Sequence, residues 1–262
     1  MRLYVFDVDG TLIENYKRIT RSSIKTINKH LDNGDAIAIA SGRPFGSIKK
    51  LLNKFHKGKK FAICANGAAL CDFKGNTLYE STIPYQVLLQ QKEKFEGKLG
   101  KTGEVYCYIK HNLGVFSMNF FSLNEIKINK MPKTNLNKHP LKDDDRIYKV
   151  MVASHPTISK DIRFDDEIYE KYHVVRTAPY FLEIMNKEVD KSRAVKELAD
   201  ILKVNYKDVY CFGDEENDLL MIKNFNGVAM GNAVDSVKEV ANYITKSVSE
   251  DGVSYAINEL IK

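Results

Sequence analysis

The stretch Leu3-Tyr4-Val5-Phe6-Asp7-Val8-Asp9-Gly10-Thr11 carries a four-residue apolar run that stops at a carboxylate. A run this short and uniformly apolar fits a strand covered on both faces, as in a parallel sheet. Residues 36–40 repeat the pattern and end in Ser41-Gly42-Arg43. Between the two runs, Ile24, Ile27 and Leu31 recur at helical spacing, with Ser22 or Ser23 placed to cap the helix and Gly34 to end it. The reading is a β-α-β unit. Pro44 opens a second helix, residues 61–65 give a third strand, and Lys74-Gly75-Asn76 turns a hairpin between 69–71 and 77–79.

From about Ile83 the rhythm changes. A helix near Pro84 leads into alternating strands at 105–109 and 114–121, which predicts antiparallel pairing. Residues 124–146 are polar, rich in Lys and Asn and broken by Pro132 and Pro140, and read as a long loop with room for a short helix. Strands at 148–154, 173–177 and 181–185 and a helix near 160–171 follow. The β-α-β rhythm then returns, with helices at 190–202, 216–223 and 234–240 and strands at 209–212 and 227–230. The expected fold class is α/β: a Rossmann-like, three-layer parallel-sheet core formed by 1–82 and 187–262. An α+β domain at 83–186 interrupts it.

Composition narrows the function classes. With 262 residues, 44% hydrophobic, the chain can fill a core. With 15 Gly, 6 Pro and no apolar run approaching the roughly 20 residues that span a bilayer, collagenous, low-complexity and membrane-spanning readings are excluded. The first apolar run is too short for a secretion signal, so a cytoplasmic protein is expected. Cys64, Cys71, Cys107 and Cys211 form no C-x-x-C pair and read as reduced, structural thiols. The net charge of +6 comes from lysines scattered along the chain with only eight Arg, a solvated surface rather than a nucleic-acid footprint.

Chemistry gathers where the strands end. Asp7 and Asp9, with Gly10 and Thr11, follow the first strand at the C-terminal edge of the sheet, where open α/β sheets bind ligands. Ser41 and Gly42 offer a hydroxyl and approachable N–H groups to an anion after the second, although a helix cap before Pro44 is the plainer role. Gly213-Asp214-Glu215-Glu216-Asn217-Asp218 follows the strand at 209–212 with hard oxygen ligands suited to Mg²⁺, while Glu215 and Glu216 also suit a helix start. Lys191 begins a helix, where a cation opposes the dipole unless an anion is bound there.

Together these segments resemble the haloacid dehalogenase superfamily, and more closely its Cof-type sugar-phosphatase-like members with a large type-two cap. The resemblance spans nearly the whole chain. D-V-D-G-T-L is similar to the first family motif, which implies Asp7 as nucleophile and Asp9 as general acid/base. Ser41 matches the second motif, Lys191 the third and G-D-E-E-N-D the fourth. The resemblance thus implies Mg²⁺ held by Asp7, Asp9 through its backbone carbonyl, and Asp214. Phosphate would be bound by Ser41, Gly42 and Lys191, with Gly10, Thr11, Asn66, Asn217 and Asp218 in support. Asn66-Gly67-Ala68 and Gly231-Asn232-Ala233 resemble further family segments. Ser192 stands where Gly commonly follows the motif lysine, and Lys187 is a nearby competitor for Lys191. The implied activity is Mg²⁺-dependent hydrolysis of small phosphorylated metabolites such as sugar phosphates. A phosphomutase and a non-catalytic phosphate sensor are the alternatives. The cap is expected to select the substrate, with His111, Arg146, Arg176 and Tyr180 as polar candidates.

Overall fold

A computed structural model describes residues 1–14, 18–129, 131–142 and 145–261; positions 130, 143 and 144 of the polar segment lie outside the described residues. The chain divides into two compact units, one formed by Met1–Tyr79 with Asp190–Lys262 and the other by Glu80–Val189.

In chain order the first unit begins with β1 (Leu3–Phe6), α1 (Arg21–Asp32), β2 (Ala36–Ala40), α2 (Phe45–Leu52), β3 (Lys59–Cys64), β4 (Ala69–Asp72) and β5 (Thr77–Glu80). The second unit carries β6 (Ile83–Pro84), α3 (Tyr85–Phe95), β7 (Glu104–Ile109), β8 (Asn112–Val115), α4 (Phe120–Asn129), β9 (Lys133–Asn135) and β10 (Arg146–Ile147). It continues with β11 (Lys149–Ala153), α5 (Pro156–Ser159), α6 (Asp166–Lys171), β12 (Tyr172–Ala178) and β13 (Phe181–Asn186). The chain then returns to the first unit with α7 (Lys191–Leu202), β14 (Val209–Gly213), α8 (Leu219–Asn224), β15 (Asn226–Ala229), α9 (Asp235–Val240), β16 (Tyr243–Ile244) and α10 (Gly252–Tyr255).

The first unit is an α/β fold on an eight-stranded sheet in the order β16-β15-β14-β1-β2-β3-β4-β5. From β16 to β3 every pairing is parallel, with Leu3 facing Val209 on one side and Ala36 on the other. Every residue of β1 and β2 is buried, because helices cover the sheet: α1 packs with α10, and α7, α8 and α9 pack in succession. Each fully buried Leu or Ile contributes roughly 1.5–3 kcal/mol, so the central strands anchor the unit. Thr20, not Ser22 or Ser23, caps α1, accepting the Ser23 N–H at 3.2 Å. In the hairpin from β4 to β5, Asp72 Oδ1 accepts the N–H groups of Lys74, Gly75 and Asn76, which holds the turn the sequence marks.

One consequence of parallel pairing decides the site. Strands that run the same way end at the same edge, so Asp7, Ser41, Asn66, Asp214 and Asn232 all emerge where β1, β2, β3, β14 and β15 stop.

The second unit is built on a six-stranded sheet in the order β12-β13-β11-β7-β8-β9, antiparallel except for β8 beside β9, with β6 and β10 pairing separately. A hydrophobic core that includes Leu88, Phe95, Cys107, Val150, Val152, Ile168, Leu182 and Ile184 lies where α3 and α6 meet the sheet. Two expectations need correction. The strand expected at 114–121 ends at Val115, and Phe120 begins α4, whose end with the short β9 lies within the segment read as a loop with room for a short helix. Asn119 starts that helix by accepting the Phe120 N–H, and the Ser122 N–H is bonded to Glu104 Oε1 on β7 at 2.7 Å. The helix expected at 160–171 forms only over its second half, as α6, and the separate short α5 ends just before the expected range.

Candidate active site

Asp7 continues β1 by one step, its N–H donating to the Phe212 carbonyl at 3.0 Å, so its backbone is tied to β14. Its Oδ1 accepts from Lys191 Nζ at 2.6 Å, and the same ammonium donates to Asp218 Oδ1 at 2.6 Å. All three are buried, Lys191 to 1% exposure and Asp218 to zero. Lys191 is the first residue of α7, capped by Asp190, whose side chain accepts the Arg193 N–H. Two carboxylates therefore hold a cation that the helix dipole alone would disfavour.

Asp218 is itself held from the other side. Its Oδ2 accepts the N–H groups of Asp214 at 3.0 Å and Glu215 at 3.2 Å, closing the loop after β14 onto its own side chain. A Cβ at Gly213 would lie 2.5 Å from Asp218 Cβ, so only glycine fits there. Asp214 Oδ1 accepts from Thr11 Oγ1 at 2.9 Å, and Oδ2 from Asn232 Nδ2 at 3.3 Å. Gly10, at φ +89°, leaves room for that carboxylate; a Cβ there would lie 1.9 Å from Asp214 Oδ2.

Three carboxylates thus lie together in a buried place, two of them sharing one ammonium. Burial, and next the Asp218 charge, push Asp7 up to about 8 against the pull of Lys191. Burial likewise lifts Asp214 to about 7, with the Thr11 hydroxyl opposing it. For Lys191 burial works downward, but the Asp218 and Asp7 carboxylates outweigh it and raise its pKa. Asp7, Asp214 and Asp218 each offer an oxygen, all within 4.8 Å of one another. Hard oxygen donors with a surplus of negative charge fit a divalent cation.

Ser41, Gly42, Asn66 and Asn217 form a second group. The Ser41 N–H bonds the Ile63 carbonyl, and its Oγ accepts the Arg43 N–H at 3.3 Å, as a turn-stabilising hydroxyl does. The Asn66 N–H bonds the Ser41 carbonyl, and Asn66 Oδ1 accepts from Asn217 Nδ2 at 3.4 Å. Asn66 stands at φ 58°, between Ala65 and Gly67, which also have positive φ. Gly67 is required, since a Cβ would lie 2.1 Å from the Asp190 carbonyl at the start of α7. Glu215 and Glu216 take the plainer role: Glu215 joins a capping box with Asp218, and Glu216 accepts from Ser236.

Asp9 stands apart from the acid cluster. Its side chain is 54% exposed and is gripped by Arg43. Sequence reasoning gave Arg43 and Asn232 no role of their own. Arg43 had one signal, its place next to Ser41-Gly42 just before a helix; Asn232 had its place after β15. Of the polar candidates in the second unit, Arg146 bonds Thr82 and Arg176 bonds Ser159, which gives both a structural role. Tyr180 stacks on Phe121 and meets Phe181 edge-on. His111 is half-buried in the turn between β7 and β8. Lys187 donates to the Glu170 carbonyl, whereas Lys191 occupies the acid cluster.

Residues 4–257 match the family model described as haloacid dehalogenase-like hydrolase. YxeH of Bacillus subtilis (strain 168), whose name describes a phosphatase, is 30% identical over 274 aligned residues, covering 99% of this chain and 98% of its own. The 5-amino-6-(5-phospho-D-ribitylamino)uracil phosphatase YcsE of the same organism is 27% identical over 269 aligned residues, covering 100% and 96%. Among solved structures, a haloacid dehalogenase-like hydrolase from Bacteroides thetaiotaomicron superposes with a TM-score of 0.86 at 27% identity, covering 99% of each chain.

Proposed function

The chain belongs to the haloacid dehalogenase-like hydrolases, of Cof type, and is a phosphatase of that family; we propose that it hydrolyses small phosphorylated metabolites such as sugar phosphates, with Mg²⁺, through an aspartyl-phosphate on Asp7. The observation that carries this reading is the buried Asp7–Lys191–Asp218 bridge at the end of β1, beside Asp214. A dianionic phosphate meets a carboxylate only where positive charge offsets the repulsion, and Lys191 supplies one such charge at the attacking group. Asp7, Asp214 and the Asp9 carbonyl would hold the divalent cation, which supplies the remaining positive charge.

An Asp7 carboxylate oxygen attacks phosphorus, forming a new P–O bond while the bond to the ester oxygen breaks. Asp9 gives that oxygen its proton. Asp9 then takes a proton from water as the water oxygen attacks phosphorus, releasing inorganic phosphate and restoring Asp7. Ser41 and the Gly42 N–H hold the phosphoryl oxygens, and Asn66 and Asn217 support that turn.

Residues 80–189 select the organic part of the ester. In this unit Met118, Phe120, Leu123 and Ile128 are exposed along and beside α4, an apolar surface of the kind that marks an interaction site. The ribitylamino-uracil phosphate in the name of one relative is a phosphorylated polyol, within the proposed class.

The test is phosphate release from a panel of phosphomonoesters with Mg²⁺ and with excess chelator. Release that depends on Mg²⁺ and is lost in Asp7→Asn, while the far-ultraviolet spectrum is kept, supports the reading. Asp7→Asn turnover within about tenfold of wild type refutes the nucleophile.

A further inference from the structure

The two acids of the Asp7-Val8-Asp9 segment have separate cations. Lys191 serves Asp7, whereas Asp9 is held by Arg43, whose Nε donates to Oδ2 at 3.0 Å and Nη2 to Oδ1 at 2.5 Å. This two-pronged contact fixes the rotation of the carboxylate plane as well as its position, which a lysine cannot do. Arg43 is itself immobilised. Its N–H bonds Ser41 Oγ, its carbonyl accepts the Ala65 N–H at 3.1 Å, and Pro44 caps α2 immediately after it.

Asp9 is also carried away from its neighbours by the chain. The Leu12 and Ile13 N–H groups both bond the Val8 carbonyl, turning the backbone tightly beyond β1 and setting Asp9 opposite Ile13. An ion pair this exposed adds little to stability, so its geometry is what matters. Without Arg43 the Asp9 side chain would be free to rotate, and an acid displaced by about 1 Å can lose about a hundredfold in rate.

We propose that Arg43 is a positioning residue for the proposed reaction, acting through Asp9 by holding its carboxylate in the orientation for proton transfer. This rests on Asp9 being the acid and base.

The experiment measures kcat/KM of the full chain with Mg²⁺ on p-nitrophenyl phosphate, which leaves without help, and on phenyl phosphate, which needs a proton. The proteins are wild type, Arg43→Lys, Arg43→Met, Asp9→Asn and the Arg43→Met/Asp9→Asn double variant, with thermal unfolding confirming that each is folded. Arg43→Met should lose about tenfold more on phenyl phosphate than on p-nitrophenyl phosphate, with Arg43→Lys between it and wild type. In the Asp9→Asn background, Arg43→Met should change that ratio by less than about twofold. Equal losses on the two esters, or the same tenfold steepening without the Asp9 carboxylate, overturn the proposal and assign Arg43 to the phosphate or the fold. If Arg43→Met does not fold, Arg43→Lys alone and in the Asp9→Asn background carries the same comparison. An Asp9→Asn protein with the wild-type ratio overturns the acid reading itself, whatever Arg43 does.

Discussion

Lys191→Met removes the ammonium between Asp7 and Asp218 while keeping most of the buried stem. In the wild type each carboxylate lies 2.6 Å from Nζ. Deleting one partner of a buried pair costs about 3–5 kcal/mol, because a charge is left without compensation. Here two carboxylates lose one cation, and the protein can escape part of the cost by binding a proton. Asp7 already stands at about 8, above its ordinary value of 3.8, so the folded state holds a proton that the unfolded state has released. Stability then falls as pH rises, by about 1.4 kcal/mol per pH unit for each such proton. Without Lys191 the proton is held more tightly, and the fall extends to higher pH. The variant should therefore be destabilised by about 3–5 kcal/mol at pH 8 and by nearly the same amount at pH 6, because Asp7 in both folded proteins already holds its proton over most of that range. Urea unfolding in chelator at the two pH values, followed by far-ultraviolet dichroism and tyrosine fluorescence, measures this. A loss below about 1 kcal/mol at pH 8, or a loss at pH 6 smaller by more than about 2 kcal/mol, would refute the shared-cation account. Asp218→Asn in the same background should restore part of the stability, since it removes one of the two stranded charges.

Metal-free wild type should lose stability as pH rises from about 4 towards 8, because Asp214 at about 7 and Asp7 at about 8 both bind protons more tightly folded than unfolded. Saturating Mg²⁺ should flatten that slope, and urea midpoints that rise with pH in chelator would contradict the sign. Gly10→Ala forces a Cβ to within 1.9 Å of Asp214 Oδ2 at a positive φ; it should cost about 2 kcal/mol or more and weaken Mg²⁺ binding measured by calorimetry. Unchanged Mg²⁺ affinity would mean that Asp214 is not a ligand.

The core was legible because its signals are local. Leu3–Phe6 and Ala36–Ala40 are apolar throughout, as strands buried on both faces must be, and each stops at a polar residue that the parallel sheet delivers to one edge. The second unit was less so. α4 carries no clean apolar face, since Leu123 and Ile128 are exposed while Ser122 and Asn129 are buried. Its start depends on Ser122 reaching Glu104, eighteen residues earlier, and no short window contains that contact. Propensity and period give way there to tertiary bonding.

The candidate site divides along the same line. Spacing picks out the acids, but it cannot say how two aspartates one residue apart come to differ. Asp7 stays in the sheet, buried, and shares an ammonium with a carboxylate 211 positions away in sequence, Asp218. Asp9 leaves the sheet through the Val8–Ile13 turn, more than half exposed, and meets a guanidinium from the end of β2. A nucleophile requires a fixed approach and charge that yields to phosphorus; a proton carrier requires access to the leaving oxygen and to water. With the roles proposed for Asp7 and Asp9, burial and the choice of cation separate those requirements before any substrate arrives. Replacing the guanidinium by Arg43→Lys therefore tests the division of labour more directly than removing either acid, because both carboxylates remain and only the orientation of one is released.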